Sequence, residues 1–275
     1  MNGYDVSTFF EKSRSMELAN NIYGFSSAAT AYNATGELSG DTNNFDTHMI
    51  KNMEWGAVAY LTQSKYGRCT DGICNEVYIN DSSEYYGDFY TGRSGGSTSA
   101  SGTTYGTYSY DDYLISDNNE KTTKEAGMGT NASTTGNIYG IYDMNGGTYD
   151  YVMGNMAAED GLFSVGSAGT WTTELLPLAK YYDFYSYGAT GSGATDFKRS
   201  KLGDATKEVL LNFPFAGVAW NGDLLGASTI SRYWPSRGGE SGTGDFPGIF
   251  SIAYSASAGS GLDDCGARSS LIILS

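Results

Sequence analysis

The strongest helical period in this chain runs through DTHMIKNMEWGAVAYLTQSKYG, residues 46–67, and it constrains the fold more than any other stretch. Asp46 is placed to cap a helix from about Thr47 to Tyr66, with Ile50, Met53, Ala57 and Leu61 on one buried stripe and Gly67 as the stop. A second amphipathic helix is expected near residues 5–20, where Val6, Phe9, Phe10 and Met16 share a face behind Asp5 as its cap. Beyond Asn155 no long helical pattern returns. GLFSVG, VLLNFPF, GIFSIAYS and SSLIIL are short apolar or alternating runs between Gly and Ser turns, which reads as short strands and loops. NIYGIYDM at 137–144 reads as a buried strand entering a Gly-Gly turn, with YDYVMGN as its partner and EVYIN as another short strand. The stretch SGGSTSASGTTYGTYSYDDY lacks a helical period and reads as exposed loop. The expected class is α+β: two helices packed on short antiparallel strands with long loops. No Pro-rich linker or charge break divides the chain, so residues 1–275 read as a single domain.

Charge limits the partners. Sixteen basic residues against thirty-one acidic ones give a net charge of -15 with no Lys/Arg run, which leaves no footprint for neutralising a phosphate backbone. Nucleic acid is therefore not an expected partner. No apolar run approaches the ~20 residues of a membrane helix, and MNGYDVSTFF has neither a basic nor an apolar signal region, so the chain is read as soluble, with no direct membrane insertion. Thirty-eight glycines and twenty-three tyrosines favour recognition loops, in which Tyr gives wide contact area at low entropic cost. The same enrichment is common in extracellular β-rich and loop-rich proteins.

Three cysteines and one histidine restrict the chemistry. A structural zinc site needs about four N/S ligands, and only His48 is left to join three scattered thiols. Cys69 and Cys74 flank an Asp-Gly turn in CTDGIC; a local disulfide and two buried free thiols are both open readings. Nucleophilic catalysis would have to recruit His48, which reads as a surface or capping residue in the first turn of the central helix. Asp111, Asp112, Asp117, Asp263 and Asp264 offer oxygens to calcium but read as solvated surface on so acidic a chain. No metal and no cofactor is assigned.

Gly140-Ile141-Tyr142-Asp143-Met144-Asn145-Gly146-Gly147-Thr148-Tyr149-Asp150-Tyr151 resembles the G-x-Y-D-M-x-G-N-V-W-E-W signature of the formylglycine-generating (sulfatase-modifying factor) branch of the C-type lectin fold. The helix KNMEWGAVAYLTQSKYG, the Ser236-Arg237-Gly238-Gly239 stretch and the terminal Gly266-Ala267-Arg268 resemble further family segments in the same order. The resemblance implies a C-type lectin fold of the formylglycine-generating type. Departures fall at Gly147, Thr148, Tyr149, Asp150 and Tyr151, which keep the aromatic and acidic types of the signature while altering its packing. Enzymes of that branch hold copper with a cysteine pair near the C-terminus, where this chain has only Cys265; the related iron-dependent sulfoxide synthases need several histidines. What the resemblance then implies is no enzyme but the scaffold's other use, a binding protein with a diversified C-terminal region, as in the variable proteins of diversity-generating retroelements in phages and gut bacteria.

Mutagenesis in those proteins acts on adenines of template codons commonly reading AAC, and codons ending in C cannot encode Lys, Glu, Gln, Met or Trp. None of these five types occurs between Ser241 and Ser275. The expected variable region is about 231–270. Phe250, Ile252, Leu271, Ile272 and Ile273 read as its framework. Tyr233, Trp234, Ser236, Ser241, Thr243, Asp245, Phe246, Ser251, Ala253, Ser255, Ser257, Ser260, Asp263 and Asp264 read as the outward, ligand-binding face, with Tyr233, Trp234 and Phe246 as aromatic anchors. The expected partner is a protein or glycan on a target cell surface, bound by an extracellular protein on a bacterial surface or phage virion. A divergent formylglycine-generating-type enzyme and a structural pilus or virion subunit are the alternatives.

Overall fold

The protein is described by a computed structural model covering residues 3–23, 25, 29–33, 35–40, 44–77, 114–117, 120–123, 133–142, 144–146, 148–186, 201–209, 211, 218–225, 233–239, 248–253, 259–262 and 265–274. Helix α1 spans Val6–Arg14 and continues through a 3-10 turn, Ser15–Glu17. Asp5 caps it as expected, accepting the Thr8 N–H at 2.9 Å, and the buried Val6, Phe9 and Phe10 form its inner face. Strands β1 (Ala29–Tyr32) and β2 (Leu38–Gly40) make a hairpin, followed by β3 (Phe45–Met49) and helix α2 (Asn52–Thr62).

Helix α2 differs from the sequence reading in its start and its face. Residues 45–49 are extended because they pair antiparallel with the C-terminal strand, and that pairing overrides the local helical pattern. Asp46 therefore caps nothing; at the true start, Glu54 accepts the Lys51 backbone N–H at 2.9 Å. The buried stripe is Asn52, Trp55, Gly56, Ala59 and Thr62, while Ala57 and Leu61 are exposed. The largest side chain sets this face. Trp55 enters the core, and Gly56 lets the helix lie on the 203–204 backbone, where a Cβ would come within 2.5 Å of the Asp204 carbonyl carbon. The helix ends before Gly67, at Gln63.

Strands β4 (Cys69–Thr70) and β5 (Ile73–Cys74) form a hairpin closed by a Cys69–Cys74 disulfide. Its turn has Asp71 at φ 53° and Gly72 at φ 81°, the left-handed pair that a two-residue hairpin demands. Then come β6 (Leu114–Asp117), β7 (Glu120–Thr123), β8 (Tyr149–Tyr151), β9 (Gly154–Met156), β10 (Asp183–Tyr185), β11 (Ser236–Gly238), β12 (Gly248–Ala253), β13 (Cys265–Ala267) and β14 (Ser269–Ile273). The expected strand at 137–144 is instead a series of turns held by Thr134 N–H to Ile141 O and Gly136 N–H to Ser133 O, with Ile138, Tyr139 and Ile141 exposed and Tyr142 half-buried. Glu76 and Val77 of EVYIN are not in a strand, and its remaining residues lie outside the described ones. So does the loop expected over residues 94–113.

The central sheet has the order β12-β11-β8-β13. Its pairs are antiparallel except β8–β13, and β9–β10 is a second parallel pair, so the sheets are not wholly antiparallel. Hydrophobic clusters cover both faces. One gathers Trp55, Met144, Val152, Ile249, Phe250 and Ile252 under α2; the other gathers Val6, Phe9, Phe10, Tyr149, Tyr151, Trp234 and Cys265 under α1. The molecule is thus α+β, with the sheet held between its two helices.

Candidate functional site

The segments that carry the sequence resemblance meet around Trp55. Its indole N–H donates to the Ile249 carbonyl at 2.8 Å, and the guanidinium carbons of Arg237 and Arg268 lie 6.0 and 5.9 Å from its ring centroid. Arg268 Nε donates to Asp150 Oδ2 at 2.6 Å and Arg268 Nη1 to the Tyr142 carbonyl at 3.0 Å. Gly146 N–H donates to the Gly238 carbonyl at 2.9 Å; a Cβ on Gly238, at φ 84°, would sit 2.8 Å from the Met144 carbonyl oxygen. All four motifs therefore serve one packed junction.

Part of the predicted ligand face is interior. Trp234 is fully buried, donates Nε1–H to the Val165 carbonyl at 3.1 Å, and stands 5.3 and 5.5 Å from the rings of Trp171 and Phe163. Ser236, Ser251 and Ala253 are also buried, because every residue of Ser236–Gly238 and Gly248–Ala253 is covered, on both faces of each strand. The alternation expected of a half-exposed strand fails there. Tyr233 and Ser260 are half-buried; the Ser260 carbonyl accepts the Tyr151 hydroxyl at 3.1 Å. Ser241, Thr243, Asp245, Phe246, Ser255, Ser257, Asp263 and Asp264 lie outside the described residues. Of the expected framework, Phe250 and Ile252 are buried, but Leu271, Ile272 and Ile273 are exposed; among the described strands β14 pairs only with β3.

Register sorts the strand ends. Gly238 faces Gly248, and Cys265 faces Tyr149, so these four residues lie at one end of the sheet, beside the Met144–Gly146 turn. Ser236 faces both Ala253 and Tyr151, so these three residues lie at the other end, on the side where Tyr233 and Trp234 enter. Of the fourteen predicted positions, Trp234, Ser236, Ser251 and Ala253 therefore belong to the core.

Two polar groups occupy the interior: His48, which the sequence placed at the surface or a helix cap, and Asp223, which it did not single out. His48 lies on β3 and is 3% exposed, with Nδ1 2.8 Å from Asp46 Oδ1 and Nε2 2.9 Å from Glu54 Oε1. It is neither a helix residue nor a surface one. Burial alone would lower its pKa, but the bonds and charges of Asp46 and Glu54 outweigh burial and raise it. Burial likewise opposes ionisation of Asp46, yet bonds from His48 and Lys180 and the Arg14 charge bring its carboxyl down to about 2. Ser270 of β14 donates to Glu54 Oε2 at 3.0 Å, so the group ties β3, α2 and β14 together. With both ring nitrogens engaged by carboxylates, His48 offers no free lone pair to a substrate. The legible signal was the Asp-x-His spacing, which puts both side chains on one face of a strand.

The second group is carboxylic. Asp223 is wholly buried; one oxygen accepts the Phe250 N–H at 2.8 Å, and the other has no hydrogen-bond partner among the described residues. Burial, opposed by that bond and reinforced by the Glu76 charge, pushes it up to about 8. Burial also pushes Glu76 up to about 7, against the charge of Arg68. Gly248 makes room: a Cβ there would lie 1.8 Å from Asp223 Oδ1. Among the described residues no cluster of three or more His, Cys, Asp or Glu is arranged to hold a metal ion. No protein-family model and no curated protein matches this chain.

Proposed function

We propose that this chain is a non-enzymatic ligand-binding protein that displays a diversified C-terminal surface on a C-type lectin scaffold of the formylglycine-generating type, in the manner of the variable proteins of diversity-generating retroelements. The observation that carries this reading is the absence of Lys, Glu, Gln, Met and Trp from residues 241–275, immediately after Trp234, Arg237 and Glu240. Burial adds support: Ile249, Phe250, Ile252 and Cys265 are core residues, as the fixed framework of such a display requires. Ligand contact is assigned to Tyr233, Ser241, Thr243, Asp245, Phe246, Ser255, Ser257, Ser260, Asp263 and Asp264. The partner is a protein or glycan on a target cell, met outside the cell by a phage virion or bacterial surface. The saturated His48 favours binding over acid–base turnover.

Sequencing this gene from many isolates, with its neighbouring DNA, tests the proposal. Variation should concentrate in the codons of 241–247, 254–258 and 263–264, spare Trp234, Arg237, Phe250 and Cys265, and accompany a template repeat beside a reverse transcriptase gene. Variation spread evenly along the chain, with no such repeat, would overturn it.

A further inference from the structure

Strand β14 is the outer strand of a two-stranded ribbon, and its free edge is built to pair. Arg268 C=O accepts the Ile50 N–H at 2.9 Å, and Leu274 N–H donates to the Asn44 carbonyl at 2.8 Å. Between them Ser270 faces His48 and Ile272 faces Asp46. Antiparallel alternation then turns the N–H and C=O groups of Ser269, Leu271 and Ile273 away from β3. Among the described residues none of these outward groups has a backbone partner. Four successive apolar side chains stand at this edge: Leu271 is 49% exposed, Ile272 43%, Ile273 79% and Leu274 50%.

The other edge of the ribbon is already closed. Thr47 N–H donates to the Glu17 carboxylate, and the Thr47 carbonyl accepts from Arg14, so two side chains of the α1 region take the place of a neighbouring strand. Natural edge strands are protected by charges, prolines or bulges. Residues 269–275, SSLIILS, contain no charge and no proline, and β14 pairs with β3 without a register shift.

From this edge we infer that β14 pairs antiparallel with β14 of a second copy of this chain, making a continuous β3–β14–β14–β3 sheet across a two-fold axis. An isologous edge must be complementary to itself. Centred on Leu271 or on Ile272, antiparallel pairing sets only Leu, Ile and Ser against one another and matches outward N–H groups with outward C=O groups. On a chain of net charge -15, this uncharged strand is a place where two copies can meet without like charges facing across the contact. Among the described residues the ribbon has no other open edge, so pairing closes the assembly at a dimer. A strand edge of five residues is small beside the roughly 1,200 Å² of a stable complex, so the dimer is concentration-dependent.

Sedimentation over a concentration series, combined with amide hydrogen exchange, tests this on the full chain. Wild type should pass from monomer to dimer, and Ile273→Lys should stay monomeric with an unchanged melting temperature, since that side chain is largely exposed. The exchange pattern reads the register itself. Leu271 and Ile273 amides should be protected only in the dimer, whereas Ile272 and Leu274 amides, bonded to β3, should be protected in both forms. A wild type that is monomeric throughout overturns the inference. So does a dimer that Ile273→Lys leaves intact, or one in which the Leu271 amide exchanges freely.

Discussion

Asp150 and Arg268 are 118 residues apart in sequence, yet the Arg268 Nε and Asp150 Oδ2 meet at 2.6 Å beside the ring of Trp55. The same guanidinium holds the Tyr142 carbonyl, so a single side chain fixes the strand before β14 to both β8 and the turn that leads into it.

Replacing Arg268 by Met keeps the aliphatic stem and removes the guanidinium that pairs with Asp150, a residue only 6% exposed. Breaking one side of such a pair costs about 3–5 kcal/mol. Urea denaturation of Arg268→Met should show a loss of that order with an unchanged slope. A loss within about 0.5 kcal/mol, the size of an ordinary surface change, would mean that the ion pair does not hold the junction.

Trp234→Ala removes an indole packed on two aromatic rings and a buried carbonyl, and should cost roughly 3–5 kcal/mol. Phe246→Ala should behave oppositely under the binding proposal, abolishing attachment to target cells while leaving the melting temperature nearly unchanged. Thermal melts and cell-binding assays on the two variants separate framework from face. A Trp234→Ala protein as stable as wild type would return that residue to the surface.

Stability should fall on both sides of a mildly acidic window. Asp46 has a folded pKa of about 2 against an ordinary 3.8, so its contribution is present above 3.8 and disappears as pH drops through about 2. His48 is raised above 6.5, so its contribution is complete below 6.5 and is lost as pH climbs through the raised value. Asp223, at about 8, acts in the same direction: its contribution is full below 3.8 and vanishes as pH rises through about 8. Melting temperatures followed from pH 3 to pH 9 should show His48→Gln and Asp223→Asn each flattening the alkaline decline, with Glu76 sustaining part of it. An alkaline decline identical in all three proteins would refute this assignment.

The strand order and the two-sided core were less legible in the sequence than α1, β12 and β14. Asp5 followed by Val6, Phe9 and Phe10 specifies a capped amphipathic helix from local spacing alone. The Asp-Gly turn between Cys69 and Cys74 fixes a hairpin in the same local way. By contrast, the Thr47–Met49 stretch fits a helix until β14, more than two hundred residues later, supplies a strand to pair with. Burial of Trp234, Ser236 and Ser251 escaped the sequence because an alternating strand looks half-exposed unless the second layer is known.

What the sequence determined by itself is the set of local choices: caps, turns, the uncharged final strand, and the C-terminal segment lacking five residue types. What the tertiary structure alone decided is which faces those elements bury. Backbone preference acts over a few residues, whereas burial depends on which distant element arrives to exclude water. His48 is the plainest case. Its neighbours in sequence give it a turn of helix, and only the convergence of β3, α2 and β14 encloses it between Asp46 and Glu54 and makes a buried ionic tie of the chain's one histidine.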